Sequence, residues 1–308
     1  MEFSHIPVML DPCLEALRID PAGVYVDATA GGAGHARRIA ERLTTGRLIA
    51  LDKDPEAVAV ARERLRPYQQ AEVVLSDYAD LEAVLDRLGI AGVHGVLMDL
   101  GVSSYQLDNP ERGFSYRYDS PLDMRMSRTG LSAGEIVNTY DERRLAQILW
   151  EYGEEKCAGS IARGIVRARA DKPIETTFAL AEIVRQSMPA KMRRDQHPAK
   201  RSFQALRIAV NDELELLRQG LQAAFDRLLP AGRLAVISFH SLEDRIVKQA
   251  FRSLTQGCTC PPDFPVCVCG HQPEGRLVQR RPVEPDAEEL EQNPRSHSAK
   301  LRVIEKCG

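Results

Sequence analysis

The sequence predicts an α/β domain built on a parallel sheet and interrupted by a helical insertion. Three observations carry this expectation. Short β-favouring runs alternate with helical spacing from Val24 to Asp99. The alternation stops near Gly113, resumes after Asn211, and gives way in between to helical patterns. Three of the apolar runs end in an acid: Asp27, Asp52 and Asp99. Strands alternating with helices call for parallel pairing with helices on both faces. Such sheets bind ligands beyond the carboxyl ends of their strands.

Taken in order, an N-terminal arm leads to Asp11-Pro12 and a short helix over 13–17. Val24-Tyr25-Val26-Asp27 is the first strand. The turn Ala28-Thr29-Ala30-Gly31-Gly32-Ala33-Gly34 opens a helix over 35–43, because glycine lets a backbone approach a ligand where a Cβ would collide. Residues 46–52 form strand two. Asp54-Pro55 starts the next helix, with an acid to cap it and proline at its first position. Residues 72–75 and 95–99 are strands three and four, with a helix over 81–88 between them. In the insertion, Thr176-Thr177 caps a helix that Met188-Pro189 ends. A long helix over 212–229, a turn at Pro230-Ala231-Gly232, strand five over 233–239 and a helix over 242–254 follow. Leu301-Arg302-Val303-Ile304 alternates like a last strand. The expected division is 1–112 with 212–308 for the α/β domain and 113–211 for the insertion.

The chain has 308 residues and a net charge of -3, so no global basic field announces nucleic acid. No apolar stretch approaches membrane-spanning length, and the expected location is the cytoplasm. The seven cysteines are then reduced thiols or metal ligands.

Three nucleotide readings compete at the glycine turn. A P-loop needs Lys followed by Ser or Thr after the last glycine, but His35 stands there. A dinucleotide fingerprint needs a third glycine where this chain has Arg37. S-adenosylmethionine needs neither. It needs a turn that admits the methionine part and an acid after strand two for the ribose hydroxyls. Asp52 lies 25 residues after Asp27, about one βα unit away, and Asp54 already serves as the helix cap. Tyr78, just past strand three, is either an adenine neighbour or an ordinary half-buried tyrosine.

Several ordered motifs then appear: His5-Ile6-Pro7-Val8, Asp99-Leu100-Gly101-Val102-Ser103-Ser104-Tyr105-Gln106, Arg112-Gly113-Phe114-Ser115, Pro121-Leu122-Asp123-Met124-Arg125-Met126, Phe203-Gln204-Ala205-Leu206-Arg207-Ile208-Ala209-Val210-Asn211, Ser238-Phe239-His240-Ser241-Leu242-Glu243-Asp244-Arg245 and Asn293-Pro294-Arg295. Together they closely resemble the bacterial ribosomal RNA small subunit methyltransferase H family, also called MraW. The resemblance covers nearly the whole chain. It implies a class I S-adenosylmethionine-dependent methyltransferase (Rossmann-like) sheet with an inserted helical substrate domain. It implies methylation of the exocyclic N4 of a decoding-centre (P-site) cytidine of 16S rRNA in the small ribosomal subunit. Cofactor contacts carry over to the turn at Gly32, Ala33, Gly34 and His35, and to Asp52, Tyr78, Asp99 and Gln106. The family usually has glycine or arginine where Ala33 stands, and arginine where His297 stands. A homodimer is a candidate assembly.

A cytosine amino group is a poor nucleophile, because its lone pair is delocalised into the ring. The enzyme must hold it in line and accept its protons. Asp99 is the candidate acceptor; the other role open to it is cofactor binding. Methylation at C5 would need a cysteine nucleophile, and Cys13 is far in sequence from the strand-four end. His240 is either a group facing the site or a strand-end histidine bonded to backbone.

Between Arg125 and Arg207 there are 16 Lys/Arg against 10 Asp/Glu, so that stretch carries +6 and the rest of the chain -9. The densest stretch holds Arg193, Arg194, His197, Lys200 and Arg201, the candidate RNA contacts, with Asn211 closing the adjoining motif. Cys258, Cys260, Cys267 and Cys269 lie within twelve residues. They suggest a tetrahedral structural zinc site or, equally, a proline-stiffened hairpin with small buried thiols. A methyltransferase for another nucleic-acid amino group and a non-catalytic RNA-binding factor are the alternative functions. The intact turn, Asp52 and Asp99 argue against the second.

Overall fold

The computed structural model describes residues 7–193, 197–258, 260, 266 and 269–308. The chain divides into two compact units, one of 1–101 with 214–308 and one of 102–213.

In the first unit, α1 (Leu10–Leu17) precedes β1 (Val24–Asp27), and α2 (Gly34–Ala40) leads to β2 (Arg47–Asp52). Then come α3 (Pro55–Leu65), β3 (Ala71–Leu75), α4 (Leu81–Arg87) and β4 (Val93–Asp99). Helix α1 starts three residues earlier than expected, because Pro12 sits in its first turn, where the missing N–H costs nothing. Asp54 caps α3 as expected, accepting from Glu56 N at 3.0 Å.

The second unit holds α5 (Ser104–Asp108), α6 (Ala133–Thr139), α7 (Glu142–Gly153), α8 (Ala158–Asp171), α9 (Thr177–Ser187) and α10 (Lys200–Asn211). Its only strand-like pairing among the described residues is the isolated bridge between Pro121 and Thr176. Its core gathers Ile136, Leu145, Leu149, Ile161, Leu180 and Phe203. Arg112 is wholly buried there and donates to the carbonyls of Arg125 and Met126 at 3.0 and 3.1 Å.

The chain continues through α11 (Glu213–Asp226), β5 (Leu228–Ser238), α12 (Ser241–Leu254), β6 (Gly275–Leu277), α13 (Ala287–Gln292) and β7 (Lys300–Lys306). The seven strands lie in the order β3-β2-β1-β4-β5-β7-β6. All pairs from β3 to β5 are parallel, and β7 runs antiparallel to β5 and β6. The result is a mixed seven-stranded sheet, parallel from β3 to β5 and antiparallel at β7. Its central strands are near-continuous apolar runs: Leu48 to Leu51, Val96 to Met98 and Leu234 to Ile237 are almost fully buried. A parallel sheet covered on both faces requires this. One expectation is corrected here. The turn at Pro230–Gly232 lies inside β5 as an irregularity, with Val93 opposite Leu228 and Gly95 opposite Arg233. Ala231 takes φ 63°, which absorbs the extra residues without leaving the ladder. No helix among the described residues is long and apolar enough to cross a membrane.

Candidate functional site

The strand order reverses between β1 and β4, and the glycine turn leaves β1 at that switch point. Backbone bonds tie the turn to both neighbours: Ala28 N donates to Leu97 O at 2.9 Å and Ala30 N to Leu51 O at 2.7 Å. Thr29 Oγ accepts from Asp99 N at 2.7 Å. Arg64 on α3 donates to Gly32 O at 2.6 Å. Ala33 sits at φ 59° as the residue before α2. That left-handed geometry costs about 1–2 kcal/mol in a residue with a Cβ. Its methyl is buried in the core, and a buried methyl returns about 0.8 kcal/mol, so alanine is tolerated where glycine would be the default. At Gly34 a Cβ would lie 2.4 Å from the Pro7 ring, so glycine is required by close approach.

His35 is buried behind the turn, its Nε2 3.0 Å from Val8 O. A carbonyl can only accept, so that nitrogen carries the proton, and Nδ1 faces Asp99 Oδ2 at 3.8 Å, too far for a hydrogen bond.

Three carboxylates converge at the strand ends. Burial pushes Asp27 up to about 7, opposed by the Thr29 N–H. Burial pushes Asp52 up to about 6, opposed by the Asp54 and Gly31 N–H groups. Burial pushes Asp99 up to about 8, with the fields of Asp27 and Glu243 adding to it. Asp52 Oδ2 accepts from Gly31 N and Oδ1 from Asp54 N, both at 2.8 Å. Asp99 differs: its Oδ1 is buried and accepts no hydrogen bond.

Tyr78 begins a short helical turn after β3 that Asp77 caps, and Asp77 pairs with Lys53 at 3.2 Å. Its ring lies against Gly220 of α11, where an added Cβ would come within 2.4 Å of Cδ2. His240 takes the backbone role: it caps α12, accepting from Glu243 N, while the Glu243 carboxylate accepts from Phe239 N and His240 N at 2.8 and 3.2 Å.

Cys13 was distant only in sequence. It lies within the fields of Asp99 and Asp27, and burial together with those charges pushes its thiol well above the usual range. It remains protonated and is no thiolate nucleophile.

In the helical unit, Gln106 is buried and closes the capping box of α5, its side-chain oxygen accepting from Ser103 N at 2.9 Å. His197 stacks on Tyr116 with ring centroids 4.0 Å apart. Lys200 is exposed at the start of α10. Arg201 donates to Glu154 O at 3.0 Å, which leaves most of its five donors available. Arg193 lies in the short turn over Ala190–Arg193; Arg194 lies outside the described residues. Asn211 is committed to the fold instead. Its Oδ1 accepts from Met126 N, and its Nδ2 donates to Met124 O and Arg207 O, at 2.8 to 2.9 Å. The amide is satisfied by backbone and acts as a strut for the 124–126 loop. Sequence reading missed Thr29, Arg64 and Glu243, whose roles arise from contacts between elements far apart in the chain.

Comparison with known proteins adds the family. Residues 2–307 match the MraW methylase family. A ribosomal RNA small subunit methyltransferase H from Lachnospira eligens is 52% identical over 310 residues, spanning 99% of this chain and 98% of its own. Proteins of the same name from Clostridium botulinum and Finegoldia magna are 51% and 49% identical, each spanning 99% of this chain and at least 99% of its own. On a match that runs from end to end of the described fold, the chain belongs to the MraW methylase family and is a methyltransferase.

Proposed function

We propose that the chain methylates the exocyclic N4 of a P-site cytidine in 16S rRNA of the small ribosomal subunit, using S-adenosylmethionine. The names of its relatives support the substrate class. The observation that carries the chemistry is the buried Oδ1 of Asp99, which accepts no hydrogen bond at the end of β4.

The residues present fit a cationic sulfonium nucleoside. Three carboxylates with raised pKa values, Asp27 buried and Asp52 and Asp99 half-buried, lie at the strand ends and would be relieved by a positive charge. Each Asp52 oxygen holds one backbone N–H and keeps a second lone pair, enough for two ribose hydroxyls. Gly32, Ala33, Gly34 and His35 line the approach for the methionine part, and Tyr78 offers a ring face after β3. Gln106 belongs to the proposed cofactor contacts through the α5 turn.

Bound S-adenosylmethionine supplies an electrophilic methyl carbon. The rest falls to the chain. Asp99 Oδ1 accepts a hydrogen bond from the N4 amino group, which frees the amine lone pair from the ring and holds it in line, and the carboxylate then takes the one proton released. On this reading 113–211 is the substrate-recognition insertion, with Arg193, Arg194, His197, Lys200 and Arg201 meeting RNA phosphates and Asn211 supporting them from behind. A homodimer is the further proposed assembly, measurable by sedimentation of the full chain. The test of function is methyl transfer to small subunits purified from cells lacking this activity, followed by nucleoside analysis. N4-methylcytidine is expected at one position. Label at C5, on an adenine, or nowhere overturns the reading.

A further inference from the structure

A twenty-residue segment, 255–274, joins α12 to β6. Its ends are tied together: Glu274 N donates to Leu254 O at 2.9 Å, and Cys307 N to Glu274 O at 2.8 Å. Between them none of the described residues is buried, and Val266 is 69% exposed. Among the described residues of the segment no apolar side chain is buried. Long connections in compact domains usually serve a function.

Yet one part of it is gathered. The sulfurs of Cys258, Cys260 and Cys269 all lie within 4.8 Å of one another. Cys258 and Cys269 are eleven positions apart, and their sulfurs are 3.7 Å apart. A disulfide would need about 2.05 Å. A zinc ion with Zn–S bonds of about 2.3 Å sets tetrahedral S···S edges of roughly 3.8 Å. The Cys258–Cys269 spacing matches one edge of that polyhedron, and all three sulfurs lie close enough to share one ion. The alternative of small buried thiols in a hairpin fails on exposure, since Cys258 and Cys269 face solvent.

We infer that this loop is a zinc site held by the thiolates of Cys258, Cys260 and Cys269. Cys267 lies outside the described residues. No His, Asp or Glu joins the three thiols among the described residues. Zinc binding releases the thiol protons to solvent and joins the three thiolates to one ion. The ion cross-links a loop in which none of the described residues is buried.

The site is tested on the full chain, purified under reducing conditions without added chelator. Metal analysis is expected to give one zinc per chain. Replacement by cobalt is expected to give the intense thiolate-to-metal charge-transfer band and the visible bands of a tetrahedral sulfur site. Cys258→Ser, Cys260→Ser and Cys269→Ser are each expected to lower retained zinc to a small fraction, while Cys157→Ser keeps it. S-adenosylmethionine binding by calorimetry shows that each variant is folded. Clearly substoichiometric zinc in the parent chain, undiminished zinc in the folded variants, or a Cys258–Cys269 disulfide in the reduced preparation overturns the assignment.

Discussion

At the scale of single residues, Asp99 has the most strongly raised carboxyl group of the three strand-end acids, and on the proposed mechanism it is also the proton acceptor. Its folded pKa of about 8 stands far above the unfolded value near 4. Folding therefore takes up a proton between those values. The stabilisation is complete below pH 4 and is lost as pH rises through 8. Asp27 and Asp52, raised to about 7 and 6, slope the same way. Thermal melts of the free protein should fall in Tm from pH 5 to pH 8.5, and Asp99→Asn should flatten part of that fall; a melting temperature rising with pH contradicts the assignment. The acceptor role needs the ionised carboxylate. Turnover should thus climb with pH and level at or below 8, because a cation bound beside the carboxylate lowers its pKa. A flat profile from pH 6 to 9 would remove Asp99 as proton acceptor. Asp52 makes a separate prediction. Hydrogen bonds to a charged acceptor contribute about 1.5–3 kcal/mol each, so Asp52→Ala should weaken S-adenosylmethionine by at least tenfold in calorimetry, with RNA affinity unchanged.

Among elements, what matters is how neighbours pin the strand ends. The glycine turn is held by β2 through Ala30, by β4 through Ala28 and Thr29, and by α3 through Arg64. The α12 terminus is fixed by the reciprocal cap of His240 and Glu243. Tyr78 is positioned differently, by the bare backbone of α11 at Gly220. A methyl there collides with the ring at 2.4 Å. Gly220→Ala should move Tyr78, weaken S-adenosylmethionine several-fold and leave helix content by circular dichroism intact, since alanine favours a helix over glycine by about 1 kcal/mol. An unchanged dissociation constant would mean that Tyr78 is only a packing residue.

For the whole molecule, charge is divided where composition hides it. The net -3 combines a basic insertion with an acidic remainder. Reversing two of its charges with Arg194→Glu and Lys200→Glu should weaken substrate binding and reduce the slope of log K against log salt by about 2. Cofactor affinity should not change. Equal activity on ribosomal subunits across a salt series would place the RNA elsewhere.

Much of this was legible along the chain. Apolar runs ending in Asp27, Asp52 and Asp99 gave strand positions and the ligand end of the sheet, because burial on both faces leaves a continuous hydrophobic signature. Caps such as Asp54 and Thr176 were readable because their partners lie two or three residues away. The turn within β5 was misread because proline and glycine announce a break, whereas the neighbouring strand kept the ladder going through it. Asn211 looked like a site residue until its partners were seen to be backbone groups, and His240 took the backbone role that the sequence had offered beside a site role.

The sequence by itself determined the α/β order and the acids at the strand ends, since these rest on local periodicity and spacing, and its ordered motifs carried the resemblance to the family. Only the tertiary structure decided the state of those acids. Burial, with neighbouring acids adding to it, raises Asp27, Asp52 and Asp99, and one oxygen of Asp99 is left without a donor. It alone brought Cys13 within reach of the site and three loop sulfurs within reach of one ion. Desolvation and distance depend on which distant segments meet, and no window along the chain contains that information.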